Sequence, residues 1–132
     1  MTVFESKEEI NRPVGEVYAF LADFNNHQQL MPDNVSGWSS TKDEARFSIQ
    51  NMANLALRIS NRIENNTIII VPAQQVPFNV EIRWVVTALT ENTSEAILTL
   101  SAELNMMMKM MASGPLKKLV NQQTQQLKSL LR

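Results

Sequence analysis

NMMMKMMASGPLKKLVNQQTQQLKSLLR, residues 105–132, returns the chain to a helical period after a long run of alternating segments. Leu116, Leu119, Val120, Gln123, Leu127, Leu130 and Leu131 fall on one side, with Lys117, Lys118, Gln122, Gln125 and Lys128 elsewhere. Apolar positions recurring in this way mark an amphipathic helix. Residues 115–131 predict a helix about 25 Å long, and six strands about 4.8 Å apart span a similar width. A helix of that length gripped by a curved sheet leaves room between the two for an apolar molecule.

Upstream, the period is two. From Val35 to Leu104, apolar residues alternate with polar ones: Ala45, Phe47 and Ile49; Leu55, Leu57 and Ile59, extending toward Ile63; Phe78, Val80, Ile82, Trp84 and Val86; Ala96, Leu98, Leu100, Ala102 and Leu104. The segments are separated by short polar turns at 41–44, Asn65-Asn66 and 90–95, so an antiparallel meander with one buried face is expected. TIIIV (67–71) is apolar on both faces and reads as a covered strand. Arg58 and Arg62 lie opposite Leu57 and Ile59 and are expected outside.

The first strand is expected over residues 3–10, with Phe4, Ser6, Glu8 and Ile10 on one face. A short helix follows, capped by Asn11 with Pro13 in its first turn and an apolar stripe of Val14, Val17, Tyr18 and Leu21. HQQLM adds one further turn before Pro32 stops it.

At 132 residues, with 44% hydrophobic and 19% charged content, the chain reads as one globular domain over residues 1–132. The absence of cysteine excludes disulfides and thiolate metal sites. No apolar run approaches the roughly 18 residues a membrane span needs, and MTVFESKEEI carries acids where a signal peptide is apolar. The expected compartment is the cytoplasm, without integral membrane association. The formal net charge of −1 is uneven: all 13 acids lie at or before Glu103, while the tail holds Lys109, Lys117, Lys118, Lys128 and Arg132 and no acid. Docking of the basic tail on the acidic body is expected. Nucleic acid is not an expected partner, because the body would repel phosphates.

Strand, helix, short helix, six antiparallel strands and a final long helix is the order of the helix-grip fold, an α+β class. INRPVGEVYAFLADFNN (10–26) followed by Pro32 resembles the opening signature of the SRPBCC superfamily, which includes START lipid-transfer domains, the birch-pollen allergen family and polyketide cyclase/dehydrase-like proteins. SGWSST (36–41) and ELNMMMKMMASGPLKKLVN (103–121) resemble its small bacterial members. The resemblance spans essentially the whole chain and implies an apolar cavity between the concave sheet and the last helix. It does not imply a reaction, because this fold hosts carriers and cyclases alike. With one histidine and no cysteine, the metal-binding branch does not apply, and no cofactor is expected.

The leading expectation is a binder or carrier of a small hydrophobic molecule: a lipid, a fatty acid or a polyketide-like aromatic. Phe47, Leu57, Val80, Ile82, Trp84, Leu98, Leu100, Leu119, Val120 and Gln123 would line its cavity, with Met110 and Met111 near the entrance. A void of about 300 Å³ kept dry would cost about 7 kcal/mol, so ligand, water or methionine should fill it. The alternative is a cyclase- or dehydratase-type enzyme using Glu8, Tyr18 or His27. His27, on an amide-rich turn, reads as solvated. The Tyr18 hydroxyl reads as a core partner. Glu8 is either a wet rim residue or a carboxylate raised in pKa beside the cavity.

The five methionines of Met106–Met111 read as a gap-filling plug or as an adaptable wall at the mouth. They cannot all face inward on one helix, and a homodimer contact through this segment is one way to cover the rest. An interaction module built on it is a third reading. Lys117 and Lys118 stand near the start of the expected helix, where the macrodipole disfavours cations, and pairing with body acids would offset that.

Overall fold

A computed structural model of the chain describes residues 1–49, 53–74 and 79–132. Among these residues the order is β1 (Thr2–Ile10), α1 (Val14–Leu21), a 3₁₀ helix (Phe24–Leu30), β2 (Val35–Ser40), β3 (Glu44–Ile49), β4 (Ala53–Ile63), β5 (Thr67–Pro72), β6 (Val80–Ala88), β7 (Ser94–Ala102) and α2 (Met106–Leu130). Phe78, placed in the β6 stripe by its alternation, lies outside the described residues.

All strand pairings are antiparallel, and the spatial order is β1-β7-β6-β5-β4-β3-β2. Consecutive strands from β2 to β7 are neighbours, as short polar turns require. Strand β1 departs from that sequence order. Helix α1 and the 3₁₀ helix carry the chain from one edge of the sheet to the other, so the first strand pairs with the last. The sheet curls, and α2 lies across its open side, mainly against β1 with further contact to β7 and the 3₁₀ helix. This is the helix-grip α+β fold.

Alternation accounts for most of the core. Along β7, Ser94, Ala96, Leu98, Leu100 and Ala102 are buried and their neighbours only half so. Trp84 and Val86 of β6 and Ile68 and Ile70 of β5 join them. Burial of a side chain such as Trp84 makes its removal worth about 3–5 kcal/mol.

In two places the local geometry overrides the alternation. Strand β4 carries a register irregularity between Ile59 and Asn61, and an extra residue there reverses which side chains face inward. Ile63 is therefore 49% exposed, and Arg62, expected outside, turns in. Its guanidinium donates to the carbonyls of Ala22 (2.9 Å) and Lys42 (3.1 Å) and pairs with Asp43 at 2.8 Å. It thereby ties the C-terminus of α1 to the β2–β3 turn. Arg58 remains exposed. The second irregularity, in β2 between Ser36 and Ser39, contains Gly37 at φ 66, a backbone conformation glycine adopts without steric cost. At the β4–β5 turn Asn65 takes the left-handed conformation, φ 57, which asparagine tolerates.

The helix ends also differ from expectation. Pro13, not Asn11, occupies the N-cap of α1 and makes no side-chain cap bond. The final helix begins nine residues earlier than its stripe suggested, at Met106 rather than 115. Asn105 starts it, its side chain accepting from the Met108 amide at 2.8 Å, and the helix runs through Pro115. An interior proline removes one ladder bond and costs about 3 kcal/mol, which is why Gly114-Pro115 reads as a start in sequence. Lys117 and Lys118 consequently lie in mid-helix, exposed, and neither forms an ion pair among the described residues. Of the tail's cations only Lys128 pairs with a body acid there, Glu8 at 3.3 Å. Docking of the tail rests instead on apolar burial of Val120 and Leu127 and on the hydroxyl pair Ser6–Thr124, 2.6 Å apart.

Candidate functional site: a cavity between sheet and helix

Between the concave face and α2 lies a cavity of ≈ 380 Å³. The sheet contributes Phe47 and Ile49 of β3, Leu55, Ala56 and Leu57 of β4, Ile70 and Pro72 of β5, Val80, Ile82 and Trp84 of β6, and Leu100 and Ala102 of β7, with Leu104 beyond. The roof is α2, through Met108, Met111, Ala112, Leu116, Leu119 and Gln123. Phe24, His27 and Met31 close the side formed by the 3₁₀ helix. No charged side chain lines the cavity among the described residues. A wider depression beside Met1, Glu103 and Lys109 is open, largely polar surface.

Nine of the residues expected to line a pocket do so: Phe47, Leu57, Val80, Ile82, Trp84, Leu100, Met111, Leu119 and Gln123. Leu98 and Val120 are buried in the core instead and do not line it. Met110 is 80% exposed and points away. Met111, 74% exposed, both lines the cavity and meets solvent, so it stands at the mouth. Met108, not singled out from sequence, faces in because the helix already begins at Met106. Residues 108, 111–112, 116, 119 and 123 then continue one helical face.

His27 departs most from expectation. It is 1% exposed rather than solvated. In a 3₁₀ helix residues three apart eclipse, so Phe24, His27 and Leu30 share the buried face while Asn25, Gln28 and Gln29 face solvent. That three-residue spacing was the available signal, masked by the polar composition around it. Asp23 starts the turn, accepting from the Asn25 amide at 2.9 Å. The imidazole contacts Phe24 edge-on at 4.9 Å, and Phe24, Trp38 and Phe47 continue an aromatic row, with Trp38 stacked on Phe47 at 5.2 Å. Trp38 is anchored in turn by Nε1–H donating to Ser40 Oγ at 3.0 Å. The ring of His27 bonds to the Leu21 carbonyl through Nε2 at 2.8 Å. Burial pushes its pKa from 6.5 down to about 4, against smaller upward effects of the Leu21 bond and of Asp23, so the imidazole is neutral at pH 7.

Glu8 and Tyr18 do not join it. Glu8 faces α2 from β1, half-buried and paired with Lys128. Tyr18 packs partly buried against the core from α1. Neither lines the cavity. The polar groups at its walls are those of His27, Gln123 and Trp84, and the Trp84 indole N–H is buried without a hydrogen-bond partner among the described residues.

By sequence, no family model and no curated protein matches the chain. By structure it is similar to XoxI from Bacillus cereus (12% identity, 99% of this chain and 96% of that one, TM-score 0.79). It is also similar to a START superfamily protein from Mycobacterium smegmatis (16%, 98% and 96%, TM-score 0.72). The fold is START-like. The di-domain ARO/CYC BexL from the BE-7585A biosynthetic pathway shares it as well (14% identity, 98% of this chain and 46% of BexL, TM-score 0.68). The START-like fold accounts for the cavity's position, because α2 lies over the curled sheet and the space is enclosed between them. Among the described residues no helix is long and apolar enough to cross a membrane.

Proposed function

We propose that this protein binds and carries a small apolar molecule in the cavity beneath α2, in the cytoplasm. The observation that carries the reading is the ≈ 380 Å³ cavity with apolar walls and no charged lining residue among those described. Its size falls within the range of small-molecule sites. Kept dry, a void of that volume would cost about 9 kcal/mol, a large part of a typical domain stability of about 5–15 kcal/mol. The START superfamily neighbour and the ARO/CYC neighbour support a ligand-holding use of this architecture. A catalytic reading has less support, because Glu8 and Tyr18 lie away from the cavity and only His27 among the three candidates lines it. Native mass spectrometry of protein purified from its own host tests the proposal. A bound lipid or aromatic compound is expected, and protein that is always ligand-free and binds no member of an apolar library would sink it.

Four methionines on the first turns of α2, Met106, Met107, Met110 and Met111, are each at least 72% exposed. They support a second use of this segment, as a contact with a second copy of the chain. Sizing chromatography of Met107→Glu tests it: a dimer in the parent that becomes a monomer in the variant is expected, and an unchanged monomer in both rules it out.

A further inference from the structure

The cavity's polar groups are few enough to be assigned one by one, and they specify more than apolarity. A carbonyl oxygen only accepts, so the 2.8 Å contact between His27 Nε2 and the Leu21 carbonyl requires that Nε2 carry the proton. In the neutral ring the other nitrogen, Nδ1, then holds a lone pair. It takes part in no hydrogen bond among the described residues, the ring's bond there being that of Nε2, and its side chain lines the cavity. The Gln123 amide, 7% exposed and also lining the cavity, can act either way. The Trp84 N–H has no partner among the described residues, but it is sealed from the cavity space.

We infer that the ligand is a neutral apolar molecule bearing a hydroxyl, whose proton is donated to His27 Nδ1. The inference rests on the proposed binding role of the cavity and narrows its ligand class. A carboxylate is disfavoured on two counts. No Lys or Arg lines the cavity among the described residues, and an ionised group taken there would lose hydration without a counter-charge. A carboxylate also has no proton to give a lone pair. Neutral phenols and alcohols of apolar skeleton fit, whereas fatty-acid anions do not. A ligand carbonyl or ether oxygen within the same molecule would find its donor at the Gln123 amide.

The chain has a single histidine, so one imidazole gives the ring nitrogen NMR signals of the labelled protein. Three matched probes serve: naphthol, its methyl ether and naphthoate, titrated at pH 7. The expected result is naphthol binding about threefold to tenfold more tightly than the ether and naphthoate most weakly. The unprotonated Nδ1 signal should move with naphthol and not with the ether. Equal affinity for naphthol and the ether overturns the inference while leaving the apolar-cavity reading intact. A naphthol preference without movement of the Nδ1 signal overturns the assignment to His27. Tightest binding of naphthoate overturns the neutral class. Failure of all three to bind at millimolar concentration overturns the cavity reading itself. All of these readouts use the unmodified protein.

Discussion

His27 Nε2 and the Leu21 carbonyl oxygen stand 2.8 Å apart, joining the face of the 3₁₀ helix to the last turn of α1. Leu21 is itself fully buried, so the contact lies where water does not compete, and it holds the ring of the only histidine in one orientation and one tautomer. The Nε2–H form is a consequence of where α1 ends, whereas the low basicity comes from burial, which outweighs the upward effect of the Leu21 bond.

The stability of the protein should report that low basicity. The folded pKa, about 4, lies below the ordinary 6.5, so the unfolded chain takes up the proton first as pH falls. Stability is therefore at its full value above pH 6.5, declines between 6.5 and 4, and levels off below, a loss of about 3 kcal/mol from this group. Urea denaturation at pH 7 and pH 4 of the parent and of His27→Phe isolates it, because the carboxylates titrate in both. Parallel pH profiles for the two proteins would contradict the expectation.

Filling the cavity should separate binding from folding. Ala112 faces the cavity from α2, and Ala112→Phe would occupy part of it. Affinity for a neutral apolar dye should fall by about tenfold or more while the melting temperature is unchanged or raised, since an unfilled apolar void is itself costly. Undiminished dye binding would place the dye elsewhere.

Arg62 is expected to matter more than its place in an alternating strand suggests. Arg62→Met keeps the stem but removes the bonds to the Ala22 and Lys42 carbonyls and the pair with Asp43. A loss of about 2 kcal/mol in denaturant unfolding is expected, most of it from the two carbonyl bonds. Arg58→Met, on an exposed side chain, should change stability by less than about 0.5 kcal/mol.

Thr124→Val tests how α2 is fixed on β1. The substitution preserves shape and removes the hydroxyl 2.6 Å from that of Ser6, so a cost of about 1 kcal/mol is expected. By contrast, Met110→Glu should leave thermal stability nearly unchanged, because the side chain is 80% exposed. A large loss at Met110 would show that the first turns of α2 are covered in solution.

Sequence alone determined the architecture and part of the cavity wall. Period two in β3 to β7 and period 3.6 in residues 116–131 are properties of each segment's own backbone, and they say which side chains share a face without knowledge of what that face meets. Phe47, Leu57, Val80, Ile82, Trp84, Leu100, Leu119 and Gln123 were legible for that reason. The cavity's polar character and its rim were decided only by the tertiary structure. His27 is buried because a 3₁₀ turn packs beneath α1, and its tautomer depends on a carbonyl six residues away. Arg62 turns inward because one residue too many in β4 reverses the pleat. Leu98 and Val120 share faces with cavity residues, yet packing covers them. Helix α2 passes through Pro115 because an Asn105 cap and the partial burial of Met108, Ala112 and Leu116 offset a local penalty that, read in isolation, ends or begins a helix. Periodicity is a property of one segment, whereas whether a side chain is covered depends on the other segments that pack against it.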